Sequence, residues 1–201
     1  MDFYELIETK HAGQIRNKSE SGTVPYTDHL YGVATVISSA LNLTSEVSDE
    51  QLFADIVNAA LGHDLIEDTD VSEAEILSVA NERTLKFIRE LTNPVDDAHT
   101  EEYMIRLSTA SEEARLVKYA DLIENTLSVA YNIRLLGKDW LDGFYMPILT
   151  KTTAVLLKTQ FEQYPKTAEI LRDQLYTVTK LLNTKSRIAF GMANGDELWS
   201  V

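Results

Sequence analysis

The run Gly62-His63-Asp64-Leu65-Ile66-Glu67-Asp68-Thr69 holds the densest set of reactive side chains in the chain. It places a metal-ligand pair, His63-Asp64, about one helical turn before an acid/base pair, Glu67-Asp68. These groups close an apolar segment, Leu52 to Leu61. Burying so many charges without a partner would be very costly, so a cation is expected beside them. A helix C-terminus also disfavours carboxylates. Taken alone, Glu67, Asp68 and Asp70 read as solvated acids ending a surface helix. The metal reading rests on His63 and Asp64, which directly follow Asn58-Ala59-Ala60-Leu61-Gly62.

Other segments can supply the rest of a cage. From Ala114 to Leu136, apolar residues cover most of a helix circumference, as expected of a central, buried helix. One stripe is polar: Lys118, Asp121, Asn125, Ser128 and Asn132, spaced three and four apart. On so apolar a helix the stripe is expected to face a cavity. Asp121 is then the natural oxygen ligand, and Asn125 can hydrogen-bond a ligand or a carboxylate. A lone histidine is more often structural than ligating, and His11 and His99 are left outside the metal shell. His29 stands above them because it follows a candidate phosphate loop, Arg16 to Gly22. Two His and two Asp suit Mn²⁺, Fe²⁺ or Zn²⁺. Four protein ligands leave further positions to water, which favours an ion that accepts six, Mn²⁺ first, over tetrahedral Zn²⁺. Such an ion makes hydroxide available near neutral pH, and Glu67 or Asp68 can move protons.

The elements that must position these residues read as helices throughout. Helices are expected over 2–16, 27–41, a third opened by a Ser48–Gln51 capping box and carrying the His-Asp run at its C-terminal end, 72–79, 81–91, 101–110, 111–136 ended by Gly137, 141–164, and 165–182 with Pro165 in its first turn. Thr92-Asn93-Pro94 reads as a turn that continues as a loop to Thr100. The tail from Thr184 suggests a turn at Gly191, Asn194 and Gly195, with Trp199 packing back. No strand-like alternation of useful length, internal repeat or linker is visible. The expected architecture is all-α, one domain over 1–201.

Composition narrows the function classes. The 201 residues can bury a substantial core, and only 8 Gly and 4 Pro favour long helices over a turn-rich β fold. A net charge of −14 argues against a nucleic-acid-binding face. The absence of cysteine excludes disulfides and thiolate sites and fits a reducing cytoplasm. No signal-peptide pattern or membrane-length apolar stretch is present. The expected setting is cytoplasmic, without membrane or nucleic-acid partners.

Four segments resemble the HD-domain superfamily of metal-dependent phosphohydrolases and, within it, the RelA/SpoT-type alarmone hydrolases. His11-Ala12-Gly13-Gln14-Ile15-Arg16 is similar to the family's H-x-G-Q-x-R. Pro25-Tyr26-Thr27-Asp28-His29 resembles P-Y-x-x-H, and His63 to Thr69 resembles H-D-x-x-E-D-T. Lys118-Tyr119-Ala120-Asp121-Leu122-Ile123-Glu124-Asn125 resembles K-x-A-D-x-x-x-N. The likeness spans about residues 5–135. It implies an HD-type helical bundle with an extra C-terminal helical part (about 137–201), metal ligands His29, His63, Asp64 and Asp121, and a catalytic pair Glu67 and Asp68. It also implies Arg16 and Tyr26 on the base side, with Lys118 and Asn125 at ribose or phosphate. The chain departs from the pattern at Asn17, Leu30, Leu122 and Glu124, which lowers positive charge near a polyanionic substrate. Lys18, Lys118 and Arg134 are the candidates to offset this.

The resemblance implies a small stand-alone hydrolase that removes the 3′-pyrophosphate of ppGpp-class nucleotides. The alternatives are an adenine alarmone, removal of a phosphate from NADPH or from a nucleoside phosphate, and a non-catalytic nucleotide-binding module. Retention of both Glu67 and Asp68 argues against the last. The helices after Leu136 could reshape the substrate entrance or form a homo-oligomer contact.

Overall fold

The structure is a computed structural model that describes residues 1–19, 22–93 and 101–191, with the backbone alone for residues 17–19 and 22. The expected loop from Pro94 to Thr100, His99 within it, and the tail residues Asn194, Gly195 and Trp199 lie outside the described residues.

Local side-chain caps start five of the described helices. α1 (Phe3–Lys10) opens with a reciprocal Asp2–Glu5 capping box. It stops well short of residue 16, because the chain then turns into an antiparallel hairpin of β1 (Ile15–Ser19) and β2 (Gly22–Pro25). The expectation of no strand therefore missed one small element, whose polar sequence has no alternation to reveal it. Ile15 pairs with Pro25 and Asn17 with Val24, and the register shift between Ile15 and Asn17 makes Arg16 the bulged residue. A bulge re-aims its side chain, and here Arg16 reaches the site. α2 (Thr27–Thr44) follows directly.

α3 (Glu50–Leu61) is capped by Asp49, one residue beyond the expected Ser48. It ends before the His-Asp pair, not after it: Gly62 is its C-cap, and His63-Asp64 form the corner into the short α4 (Leu65–Asp68). Gly62 is required there by space, since a Cβ would lie 2.9 Å from Phe3 Cζ and 3.0 Å from Ile88 Cδ1. Ser72 and Glu75 form the expected capping box of α5 (Glu73–Leu77), and Asn81 caps α6 (Glu82–Leu91). α6 is tied to α3 through buried Asp55, which accepts from Asn81 Nδ2 at 2.7 Å and Arg83 Nε at 2.6 Å.

α7 (Glu101–Thr109) leads to α8 (Glu112–Leu136), capped by Ser111 and ended by Gly137 at φ +85°, as its sequence predicts. α8 is the central helix, with Leu116, Val117, Ala120, Ala130 and Ile133 buried against α2, α3, α6 and α11. Beyond it comes the short α9 (Lys138–Trp140), and the single helix expected over 141–164 is two pieces, a π-helical turn (Leu141–Tyr145) and α10 (Met146–Lys158), ending six residues early. Pro147 explains the wide turn. It has no N–H for the Gly143 carbonyl and its ring would meet that carbonyl in a regular helix; the preceding Met146 N–H instead bonds Leu141 O, five residues back.

α11 (Pro165–Phe190) runs eight residues past the expected Leu182 and closes on Gly191 at φ +68°. Its N-terminus is capped from a distance. Glu46, in the α2–α3 loop, accepts from Lys166 N at 3.0 Å, Thr167 N at 2.8 Å and Thr167 Oγ1 at 2.9 Å. Burial works against the Glu46 carboxylate, but these donors outweigh it and hold the carboxyl below its usual range. A depressed carboxyl contributes stability in full above its unfolded value and loses it as pH falls through the folded one. Glu46→Ala is therefore expected to cost about 1 kcal/mol at neutral pH, with the difference shrinking in acid below about pH 4. Denaturant titrations of both proteins across pH check this.

Among the described residues, no helix is long and apolar enough to cross a membrane.

Candidate functional site

One cleft of about 390 Å³ is lined from the hairpin, the start of α2, the α3–α4 corner with α4, α8, and the segment from α9 through the π turn to α10. His29 enters from α2, His63 and Asp64 from the corner, Asp121 from α8. Among the described residues, His29, His63 and Asp64 form a cluster whose candidate ligand atoms all lie within 4.8 Å of one another. Asp121 Oδ1 stands 3.4 Å from His29 Nε2 and 3.6 Å from His63 Nε2, so it faces the same centre.

The imidazole hydrogen bonds decide what these rings can do. His63 Nδ1 lies 2.7 Å from the Ala60 carbonyl. A carbonyl only accepts, so Nδ1 carries the proton. His63 Nε2 is buried and faces Asp64 Oδ2 at 3.1 Å and Asp121 Oδ1 at 3.6 Å without hydrogen-bond geometry. A nitrogen oriented in this way toward two carboxylates is the arrangement of a metal ligand. His29 is set the same way from the other side: its Nδ1–H donates to the Glu124 carboxylate, and its Nε2 points to Asp64 and Asp121. The donor set fits a divalent metal ion.

The electrostatics agree. Burial opposes a charge on His29, yet Asp121, Asp64 and Glu124 outweigh it and raise the imidazole to about 9. Burial likewise opposes charge on Asp64 and Asp121. The neighbouring His63 for Asp64, and Lys118 for Asp121, nevertheless hold these carboxyls well below the usual range. The centre thus keeps its acids ionised and attracts positive charge.

Glu67 and Asp68, on α4, stand at the cleft mouth and reach solvent. Partial desolvation there, reinforced by the Asp64 charge, raises both carboxyls above the ordinary range. Glu67 Oε2 is held by the Asn93 backbone N–H at 2.8 Å. The Asp68 turn is held by Gln14, which donates to the Asp68 carbonyl at 2.9 Å and accepts from His11 Nδ1 at 2.7 Å. His11 also stacks on Tyr26, with ring centroids 5.3 Å apart, and lies outside the ligand cluster as expected.

Arg16, Tyr26, Lys118 and Asn125 all line the cleft, but their polar ends meet the site's own acids. Lys118 Nζ donates to Asp121 Oδ2 at 2.7 Å. Asn125 Nδ2 donates to Asp121 Oδ1 at 2.5 Å, and its oxygen accepts from Arg16. Arg16 Nη2 also donates to Glu124 Oε2 at 2.9 Å, and Tyr26 OH donates to Asp64 Oδ2 at 2.7 Å. Lys18 pairs with Thr23 in the hairpin.

Sequence reasoning missed Glu124 as a partner of His29 and the Asn93 N–H on Glu67. It also missed Gly32, where a Cβ would lie 2.8 Å from Glu124 Cγ; its place one turn after His29 on α2 was the available signal. The segment after Leu136 is expected to reshape the substrate entrance, but Trp140, Phe144, Tyr145 and Ile148, which line the cleft with Leu136, are not singled out by their local sequence.

The helical frame, with paired His and Asp donors at the meeting of α2, the α3–α4 corner and α8, is an HD-type hydrolase fold. Comparison with known proteins gives the same class. No family model matches the chain. It is 31% identical over 148 residues to the guanosine-3′,5′-bis(diphosphate) 3′-pyrophosphohydrolase MESH1 of Danio rerio, covering 69% of this chain and 73% of that protein. It is 30% identical over 143 residues to the Homo sapiens protein of the same name, covering 70% of each. A solved structure described as a metazoan ortholog of SpoT that hydrolyzes ppGpp matches the fold with TM-score 0.57 at 24% identity, over 86% of this chain and 93% of that one. The chain belongs to the MESH1 family.

Proposed function

We propose that this protein hydrolyses the 3′-pyrophosphate of guanosine 3′,5′-bis(diphosphate)-class nucleotides. The observation that carries the reading is the buried Nε2 of His63, 3.1 Å from Asp64 Oδ2, oriented with His29, Asp64 and Asp121 toward one centre beside Glu67 and Asp68. The names of the relatives supply the substrate class.

In this reading His29, His63, Asp64 and Asp121 hold a divalent cation, with Mn²⁺ favoured over Fe²⁺ and Zn²⁺ because four protein ligands suit a six-coordinate ion. Such an ion supplies Lewis-acid chemistry, polarising a phosphoryl oxygen and acidifying water. Glu67, fixed by Asn93, orients the attacking water and takes its proton. The water oxygen bonds to the phosphorus attached to ribose O3′, the P–O3′ bond breaks, and O3′ leaves with a proton that Asp68 is placed to deliver. The products are a nucleoside 5′-diphosphate and pyrophosphate. Lys118 and Asn125 fix Asp121, Tyr26 fixes Asp64, and Arg16 balances Glu124; each offers substrate only the face those bonds leave open. Lys18 is a candidate phosphate contact from the hairpin. The cysteine-free composition supports a cytoplasmic setting.

The test is a Mn²⁺-supplemented assay over guanine and adenine 3′-diphosphate nucleotides, NADPH and nucleoside monophosphates, reading pyrophosphate and orthophosphate separately. Pyrophosphate released in step with nucleoside diphosphate is the expected result. Orthophosphate from a monoester alone would replace this reading with the phosphatase one.

A further inference from the structure

Two parts of the cleft lining have opposite character. His29, Asp64 and Asp121 make up one part of its lining; Leu136, Trp140, Phe144, Tyr145 and Ile148, from the end of α8, the π turn and α10, make up another. Among the described side chains that line it, the permanent cations are Arg16 and Lys118. Both are engaged by acids of the site, Arg16 by Glu124 and Lys118 by Asp121. A nucleotide bound here meets little uncommitted positive charge from these residues. Arg16 and Tyr26, which the resemblance places on the base side, turn their polar ends to Glu124, Asn125 and Asp64, and the aromatic part of the lining offers flat apolar surface beside them.

That surface is built deliberately by the backbone. Trp140, Phe144 and Tyr145 are residues i, i+4 and i+5. At about 3.6 residues per turn, i+5 would fall on the far side of the helix from i. A π turn takes about one residue more, which brings i+4 and i+5 round to either side of i. The rings are arranged accordingly: Trp140 lies 5.4 Å from Phe144 and 5.9 Å from Tyr145, the latter nearly parallel at 7°. Tyr145 is buried, and its hydroxyl is 2.8 Å from Thr126 Oγ1 on α8. The indole is thereby oriented before any ligand arrives, while Phe144 remains half exposed.

We infer that the wall formed by Trp140 and Phe144 on the π turn is the subsite for the substrate's nucleobase, which is held there by stacking. This rests on the proposed function and specifies how the same cleft recognises its substrate. Of the parts of a 3′,5′-bis(diphosphate) nucleotide, the 3′-diphosphate suits the His and Asp cluster and the flat aromatic base suits this wall; neither serves the 5′-diphosphate. Stacking accepts any base with a π face, so the wall selects for the presence of a base more strongly than for guanine over adenine.

Titration calorimetry of the Mn²⁺-loaded protein with guanosine 5′-diphosphate, and with ribose 5-phosphate as the base-free control, tests this. Trp140→Ala is expected to weaken the nucleotide roughly 10- to 100-fold and leave the affinity for ribose 5-phosphate unchanged. Trp140→Phe, which keeps an aromatic face, is expected to restore most of the loss, and Phe144→Ala to show a smaller effect of the same kind. Unchanged nucleotide affinity in Trp140→Ala, or an equal loss for both ligands, would overturn the subsite. The functional reading fails separately, if the unmodified protein releases no pyrophosphate from any 3′-diphosphate nucleotide.

Discussion

His63→Ala is expected to abolish specific binding of a divalent metal and, with it, hydrolysis. The His63 Nε2 is buried and faces Asp64 and Asp121, and the Ala60 carbonyl fixes its tautomer through Nδ1. Nothing else on the α3–α4 corner can replace that nitrogen, because Asp64 already faces the same centre and accepts from Tyr26. Disturbing only an outer partner of a metal ligand commonly costs 10- to 100-fold in affinity; losing the ligand itself should exceed about a hundredfold. Two readouts besides activity check this: Mn²⁺ binding followed by the paramagnetic signal of the free ion, and the rise in Tm on adding Mn²⁺. The unmodified protein should show both, and the variant neither, with circular dichroism confirming that its helices remain. Tight Mn²⁺ binding by a folded His63→Ala protein would overturn the assignment.

Glu67→Gln is expected to leave metal affinity within a few-fold and to lower kcat by roughly 10²- to 10⁴-fold, the usual worth of a positioned general base. Glutamine keeps the shape and still presents an oxygen to the Asn93 N–H that now holds Glu67 at 2.8 Å, so the α4 turn should not move. What disappears is a group able to take a proton. Desolvation raises the Glu67 carboxyl in the metal-free protein, as does the nearby Asp64 charge that a bound cation would offset, and the unmodified enzyme's rate profile should carry an acid limb set by Glu67. A base works only when ionised, so the rate falls as pH drops through that limb. Undiminished turnover in Glu67→Gln, or loss of metal affinity alongside turnover, would remove Glu67 from this role and leave Asp68 as the proton carrier.

The difference between what could and could not be read in advance is one of range. Asp2, Ser72, Asn81 and Ser111 cap their helices through atoms two or three residues away, so the caps are visible in a short window. The apolar circumference of α8 and its polar stripe are equally local. Pro147 was visible too, but its consequence was not: it widens the helix before it and so builds the aromatic wall. The hairpin escaped because its strands are short and polar, and their pairing, not their pattern, defines them.

Sequence by itself determined the helical frame and the identity of the ionisable groups at the centre, since periodicity, caps and the order of four motifs are properties of neighbouring residues. Tertiary structure decided how those groups are spent. Glu124 reaches His29 across 95 residues, and Arg16 reaches Asn125 across 109. These partnerships point each imidazole nitrogen and commit Arg16 and Lys118 to acids. In a desolvated site every charge must find a partner, and only the packed fold shows which partner is near enough to satisfy it.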